Sequence, residues 1–304
     1  MKNTLMSIAF ALTLFSCAPK TVNKDGGIII ELIYDSNDTT KITEIISSRL
    51  TFIELKDFSI TSTENNSLKV EIPVFSDTSF IIDLLCSEGC LTINETFENS
   101  GIYPILETCN KMFEETFDTI IDKKDSLFKI FVPAKDHNGK PSIGPEICYA
   151  ESTDTAQINI FFKEHKDLFP KDFLPKWSKE IKYDNYYVLV GLKSSENKSL
   201  ITGSMISSAK IDENNGNTVS FSFKPEFNET WANATRNNIN RSLAIIIDDQ
   251  LYSYPTVMQE IAGGDASITG NFDLNEVKIL AAILNSGKLP CRLTVKNVEI
   301  IKTR

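Results

Sequence analysis

The chain has 304 residues, 41% hydrophobic and 24% charged, which is ordinary for a soluble folded protein and long enough for one large or two medium domains. Its 41 acidic and 31 basic residues leave a net charge of −10 and a pI near 4.9. That balance argues against a nucleic-acid partner, because phosphate binding needs clustered Lys and Arg, and it fits an extracytoplasmic protein kept soluble by its charge.

Residues 1–16 read as a targeting segment outside the fold. Lys2 supplies a minimal positive start, and residues 5–15 are an apolar run too short to span a bilayer. The run ends Leu14-Phe15-Ser16-Cys17, which fits a bacterial lipoprotein cleavage box: a small residue before the cut, then a cysteine whose sulfur receives the diacylglycerol. An ordinary signal peptide with an adventitious cysteine is the competing reading. On the first reading Cys17 is the lipid attachment and the mature chain holds 304 − 16 = 288 residues. Acyl chains then anchor it to the cell envelope without a spanning helix. Ala18 after Cys17 leaves the choice of inner or outer membrane open.

Residues 17–26 read as a flexible tether, and Gly27 opens a β-branched strand over 28–34. Asp38 and Thr39 offer caps for a helix with Ile42, Ile45, Ile46 and Leu50 on one face. Alternating strands are predicted over 58–63 and 68–73, joined by the turn Glu64-Asn65-Asn66-Ser67. Ser76 or Asp77 caps a second helix carrying Phe80, Ile81, Leu84 and Leu85, stopped by Gly89, and residues 91–97 form another strand. The order is β-α-β-β-α-β, the split unit of a ferredoxin-like sandwich.

Further on, helices are predicted over 103–117 (with Leu106, Cys109, Met112, Phe113 and Phe117 apolar) and 154–165, and strands over 127–132 and 186–191. Asp136-His137-Asn138-Gly139 is a turn, and 169–182 a surface connection pinned by Trp177. The C-terminal third is sharper. A strand over 219–223 precedes a helix over 225–240 that puts Phe227, Trp231 and Ala234 on one side. The apolar strand 243–247, the Gly263-Gly264 turn and a short strand ending at Gly270 follow. Asp273 and Glu276 form a capping-box start for a helix with Val277, Leu280, Ala281 and Leu284, which Gly287 ends, and 293–301 is the last strand.

Chemistry is sparse. His137 and His165 have no Ser, Cys or carboxylate at a telling spacing, and no phosphate-cradling glycine loop occurs. Besides Cys17 there are five cysteines, Cys86, Cys90, Cys109, Cys148 and Cys291, an odd number that leaves at least one outside any internal pair. Cys86 and Cys90 read as buried small residues or one local disulfide, with nothing nearby to complete a zinc site. Asp248-Asp249 follow a buried strand, where carboxylates either bind metals or simply make a polar exit into a turn. Tyr252 and Tyr254 beside Pro255 either line a groove for an extended peptide or pack at a strand edge. The balance points to a binding or structural module rather than an enzyme, with no cofactor and no metal.

The run AIIIDDQLYSYP (244–255), the glycine pair, the ITG (268–270) followed by Phe272, the helix and the SGKLP exit (286–290) together resemble the first periplasmic domain of the SecD/SecDF protein-export accessory family. Residues 200–212 (LITGSMISSAKID), 98–113, 142–162 and 168–177 resemble further segments of its longer form, so the likeness runs from about 25 to 301. It implies an α+β architecture: a ferredoxin-like base (27–97, with 289–304 returning to it) and an inserted α+β head over 98–288. Members of that family are thought to hold an emerging unfolded polypeptide with this domain and to use the proton gradient to help pull it across. The implied partners are therefore unfolded or exported polypeptides and Sec translocon components. Because this chain stops at Arg304, where the family enters further membrane helices, the expectation is a periplasm-facing, lipid-anchored module without the proton-driven cycle. The alternative is an adaptor lipoprotein that docks on one specific envelope partner.

Overall fold

The computed structural model describes residues 19–63, 66–75, 77–117, 126–179, 185–194, 199–212 and 217–302. The targeting segment, Cys17, Glu64, Asn65, Ser76 and Lys182 lie outside these residues, as do the side chains of Phe113 and Phe117.

The first elements are α1 (Val22–Asp25), β1 (Gly27–Tyr34), α2 (Thr39–Phe52), β2 (Ser59–Thr63), β3 (Ser67–Pro73) and α3 (Thr78–Cys86). The two longer helices start where carboxylates satisfy their first free amides: Asp38 accepts from the Lys41 N–H at 3.0 Å and Asp77 from the Phe80 N–H at 3.1 Å. Next come β4 (Leu91–Glu95), α4 (Asn99–Phe117), α5 (Leu127–Ile130), β5 (Val132–Pro133), β6 (Glu146–Glu151), α6 (Thr155–Glu164), β7 (Phe173–Trp177) and β8 (Tyr186–Lys193). The last third holds β9 (Ile201–Thr202), β10 (Ile206–Ile211), β11 (Thr218–Phe223), α7 (Asn228–Asn237), β12 (Leu243–Ile247), β13 (Gln250–Ser253), β14 (Asp265–Thr269), α8 (Leu274–Ser286) and β15 (Leu293–Ile301).

One antiparallel sheet has the order β15-β1-β3-β2, with Ile30 opposite Val298 on one side and Val70 on the other. Its inner face (Ile28, Ile30, Leu32) packs with Ile42, Ile46 and Leu50 of α2 and Ile81, Leu84 and Leu85 of α3 into one sealed cluster. The β-α-β-β-α-β order expected for this base is met only with β15 as its last strand. The strand assigned that place, 91–97, forms instead as β4, which pairs with β12 and β9 in a different sheet. Two strands of similar apolar alternation compete for the same edge, and their own sequences do not say which partner each takes.

The remaining strands build three more sheets among the described residues: β13-β12-β4-β9, β5-β6-β8-β7 and β10-β11-β14. β12 is buried on both faces. Leu243, Ile245 and Ile247 join a cluster with β11 and α8, while Ala244 and Ile246 meet Val188, Val190 and Leu192 of β8. Helix α8, begun by the Asp273–Glu276 capping box and ended at Gly287 (φ 79°), stands between the two halves. Its Val277, Leu280 and Leu284 pack into the larger cluster, and Ala282 into that of the base.

Four further expectations need correction. Residues 127–132 are a helical turn, α5, followed by the two-residue β5, because Leu127 and Phe131 anchor the segment into the core as a turn. The surface connection 169–182 contains β7, paired with β8 from Phe173↔Lys193 to Trp177↔Leu189, and β6 beside it has no counterpart in the sequence reading. α4 starts at Asn99, four residues before the expected 103, with Pro104 inside it. The stretch read as a tether includes the helical turn α1, whose Val22 is buried against β1 and β3.

Candidate binding cleft

Between the sheet β10-β11-β14, α7, β12 and the segment 255–261 lies a cleft of about 950 Å³. The strand register builds its sheet wall. Ala209, Phe221 and Ala266 stand in one row across β10, β11 and β14, and Ser208, Ser222 and Asp265 stand in the next. Ile93, Trp231, Leu243, Ile245 and Val257 supply apolar surface, and Met258, 76% exposed, forms part of the lip. Ser208, Ser220, Ser222 and Ser267 also line it, and among the described residues Lys210 and Asp265 are its charged lining residues. An apolar concavity with a few polar groups is the ordinary form of a binding site.

The segment closing one side is anchored at both ends, at its start by Leu243 N–H on Pro255 O at 3.1 Å. Buried Thr235 accepts from the Ile261 N–H at 2.9 Å, and the Arg236 guanidinium donates to both Glu260 oxygens at 2.8 and 2.6 Å. The backbone bonds Asn240 N–H to Val257 O and Val257 N–H to Arg241 O, 2.8 and 2.9 Å long, hold its middle. Trp231 is fixed by its indole N–H on Asp265 O at 3.1 Å and by Phe223, ring centroids 5.2 Å apart. Gly264 (φ 73°) is required beside it, since a Cβ there would lie 2.0 Å from Asn228 Oδ1.

The two edges of this sheet differ. At the β10 edge, Ala209 N–H donates to Asn285 Oδ1 (3.0 Å) and Ala209 O accepts from Asn285 Nδ2 (2.7 Å), which closes the ladder. Beyond β14 no further strand is paired among the described residues. That leaves an edge beside the cleft whose Asp265 O is already taken by the Trp231 indole N–H, and whose remaining backbone groups can pair with an extended chain.

The sequence-derived candidates fall elsewhere. Tyr252 packs against Phe272 at 6.0 Å and under Lys179 Nζ, 4.5 Å from the ring, and Lys179 in turn donates to Glu276 at 2.6 Å. Burial raises the Tyr252 hydroxyl pKa, and the Lys179 ammonium offsets part of that rise. Tyr254 donates to Glu146 Oε1 at 2.6 Å, whose other oxygen accepts from Tyr149 at 2.6 Å, bracing two sheets together. Neither tyrosine lines the cleft; the lining begins one residue later, at Pro255. Asp248 and Asp249 form the tight turn between β12 and β13, both at positive φ (50° and 66°). Asp248 accepts from the Cys90 N–H at 2.8 Å and Asp249 pairs with Lys176. His137 bonds its neighbour Asn138, and His165 bonds Phe161 O and stacks on that ring. Cys86, Cys90, Cys109, Cys148 and Cys291 are free thiols, so the local Cys86–Cys90 disulfide is not formed. Burial pushes the Cys148 thiol well above its ordinary pKa. The clearest sign of the cleft in the sequence is Trp231 with its small and polar neighbours, a pattern that by itself marks only a helix face.

Comparison with known proteins meets this geometry. Residues 187–291 match the family model described as SecDF, P1 head subdomain, and those residues hold every cleft-lining side chain except Ile93. Protein translocase subunit SecD of Rickettsia conorii is 35% identical over 132 residues, 41% of this chain and 24% of that protein. The SecD of Leptotrichia buccalis is 39% identical over 98 residues, 32% of this chain and 24% of its own length. A crystal structure of SecDF in its super-membrane-facing form superposes with a TM-score of 0.53 at 21% identity, covering 92% of this chain and 31% of that one. The matched region thus spans about a quarter of the length of the curated relatives. In sequence residues 187–291 are similar to the SecDF P1 head subdomain, and nearly the whole chain shares its fold with the SecDF structure. Among the described residues no helix is long and apolar enough to cross a membrane.

Proposed function

We propose that the chain is a periplasm-facing module of protein export that binds unfolded or exported polypeptide in the cleft of its head and is held at the membrane by lipid on Cys17. The observation that carries this reading is the cleft itself: an apolar concavity of about 950 Å³, flanked by the open β14 edge, within the region related to SecD. An extended segment laid along β14 would gain main-chain hydrogen bonds from the edge, and its apolar side chains would fill the cleft. With Lys210 and Asp265 its charged members among the described residues, the lining favours uncharged apolar segments.

Photo-crosslinking tests the reading. A crosslinking residue at position 220 or 258 should capture unfolded exported polypeptides, with Sec translocon components nearby, and the same residue at position 61 on the base should not. Equal capture at both places would discard the cleft as the site, and capture of one stoichiometric protein would favour an adaptor. The anchor has its own test: Cys17→Ser should abolish incorporation of labelled fatty acid, and incorporation that survives the change refutes attachment at Cys17.

A further inference from the structure

The chain leaves the base for the head through residues 87–90 and comes back through 287–290, and the two passages lie side by side. Leu289 N–H donates to Glu88 O at 2.7 Å, and a Cβ on Gly89 would stand 3.1 Å from Gly287 O. Buried Arg49 of α2 bonds both, its Nη1 donating to Ser87 O at 2.5 Å and its Nη2 to Gly287 O at 3.5 Å. Each passage meets the base at one end. The outgoing one starts from Cys86, the last residue of α3, and the returning one leads into Cys291, two residues before β15. Counted from the Glu88–Leu289 bond toward the base, both cysteines are two residues away, taking 88 − 86 and 291 − 289.

Packing brings these two thiols to the same ground. α3 touches β15, and Cys86 and Cys291 are both half-buried against the one cluster that forms the base core. Burial, with Asp83, raises the Cys86 thiol pKa, and Arg49 and Arg292 draw it part of the way back, which puts the neighbour of Cys291 within reach of that sulfur. The other three thiols are placed differently. Cys109 and Cys148 are buried in the head with Ile147 and Phe161. The backbone of Cys90 is bonded to the β12–β13 turn of the head, its N–H to Asp248 Oδ1 at 2.8 Å and its carbonyl accepting from Asp248 N–H at 3.1 Å.

We propose that Cys86 and Cys291 pair as a disulfide that ties α3 to the start of β15 and so closes the base behind the inserted head. One thiolate attacks a sulfur of an oxidant disulfide, a small molecule or a protein, and expels a thiolate. The other cysteine then attacks the mixed disulfide and expels the second, so two thiols are oxidised to one S–S bond and the oxidant is reduced to two thiols. The bond closes a loop of 291 − 86 = 205 residues and holds β15, which completes the base sheet from the far side of the head in sequence. It concerns the base alone and stands whatever the cleft holds.

Oxidised glutathione added to the purified chain tests the pairing, with tryptic peptides separated without reduction. Trypsin cuts Cys291 out in 289–292 and leaves Cys86 and Cys90 together in 70–111. The expected result is 289–292 linked to 70–111 in wild type and in Cys90→Ala, but not in Cys86→Ala. The oxidised chain should melt roughly 5–10 °C above the reduced one, a gain that Cys291→Ala removes. Peptide 289–292 left free, a link that persists in Cys86→Ala, or a Cys86–Cys90 bond within 70–111 overturns the proposal. So does an oxidised chain that melts no higher than the reduced one.

Discussion

Base and head use the same materials to opposite ends. In the base, two helices cover one face of a four-stranded sheet, and the cluster of Ile28, Ile30, Leu32, Ile46 and Leu84 closes without a gap. In the head, three sheets, two of them also four-stranded, share several clusters, and an apolar cleft lies between the β10-β11-β14 sheet, β12 and α7. A helix lies flat on a sheet and seals it, whereas two sheets meeting at an angle leave surface that neither can cover. The base is therefore a sealed unit, whereas the head keeps an open concavity.

That contrast can be broken experimentally. Ile46→Ala, at a fully buried base position, should cost about 2–5 kcal/mol in chemical denaturation, while Val257→Ala on the cleft wall should cost about 1 kcal/mol, because the cleft already has room. Equal costs would mean that the cleft wall is packed like a core. Asp248→Ala leaves the Cys90 N–H without its acceptor and should cost roughly 1–3 kcal/mol, measured the same way. Met258→Asp, at an exposed lip, should lower the affinity for an apolar peptide about tenfold, with stability unchanged to within about 0.5 kcal/mol; titration of a fluorescent peptide reads it, and unaltered affinity would remove the lip from the site.

Two smaller effects sharpen the comparison. Asp249→Gly should stabilise the head by about 0.5 kcal/mol, since Asp249 holds positive φ and its partnership with Lys176 is solvent-exposed. The thiols supply a pH dependence. Cys148 keeps its proton in the folded head while an unfolded thiol ionises near its ordinary pKa of 9.0, so its contribution is fully present below that value and declines as pH rises above it. Cys148→Ala should flatten the fall in melting temperature between about pH 8 and 10, and an unaltered slope would assign the effect to other groups.

Local structure was largely legible. Asp38, Asp77 and the Asp273–Glu276 box mark helix starts from the side chain inward, and the faces of α2, α3 and α8 follow from apolar residues three and four apart. The cleft was not. Aromatic type and a neighbouring proline leave Tyr252 and Tyr254 open to a peptide groove or to strand-edge packing, and Lys179 and Glu146 draw them into the scaffold. Those partners lie 73 and 108 residues away, taking 252 − 179 and 254 − 146, and nothing local announces them.

Capping, turn chemistry and periodicity act over a few residues, and so the amino-acid sequence marks most of the helices and strands and their apolar sides, but not α1, α5, β6 or β7. The return of 289–304 to the base is implied by the family resemblance, but the folded chain alone shows that β4 leaves the base sheet for β12 and β9, that Arg49 bonds both passages, and that a cleft lies between β10-β11-β14 and β12. Backbone hydrogen bonds between strands are blind to side-chain identity, so pairing is settled by which whole set of apolar faces can be buried at once.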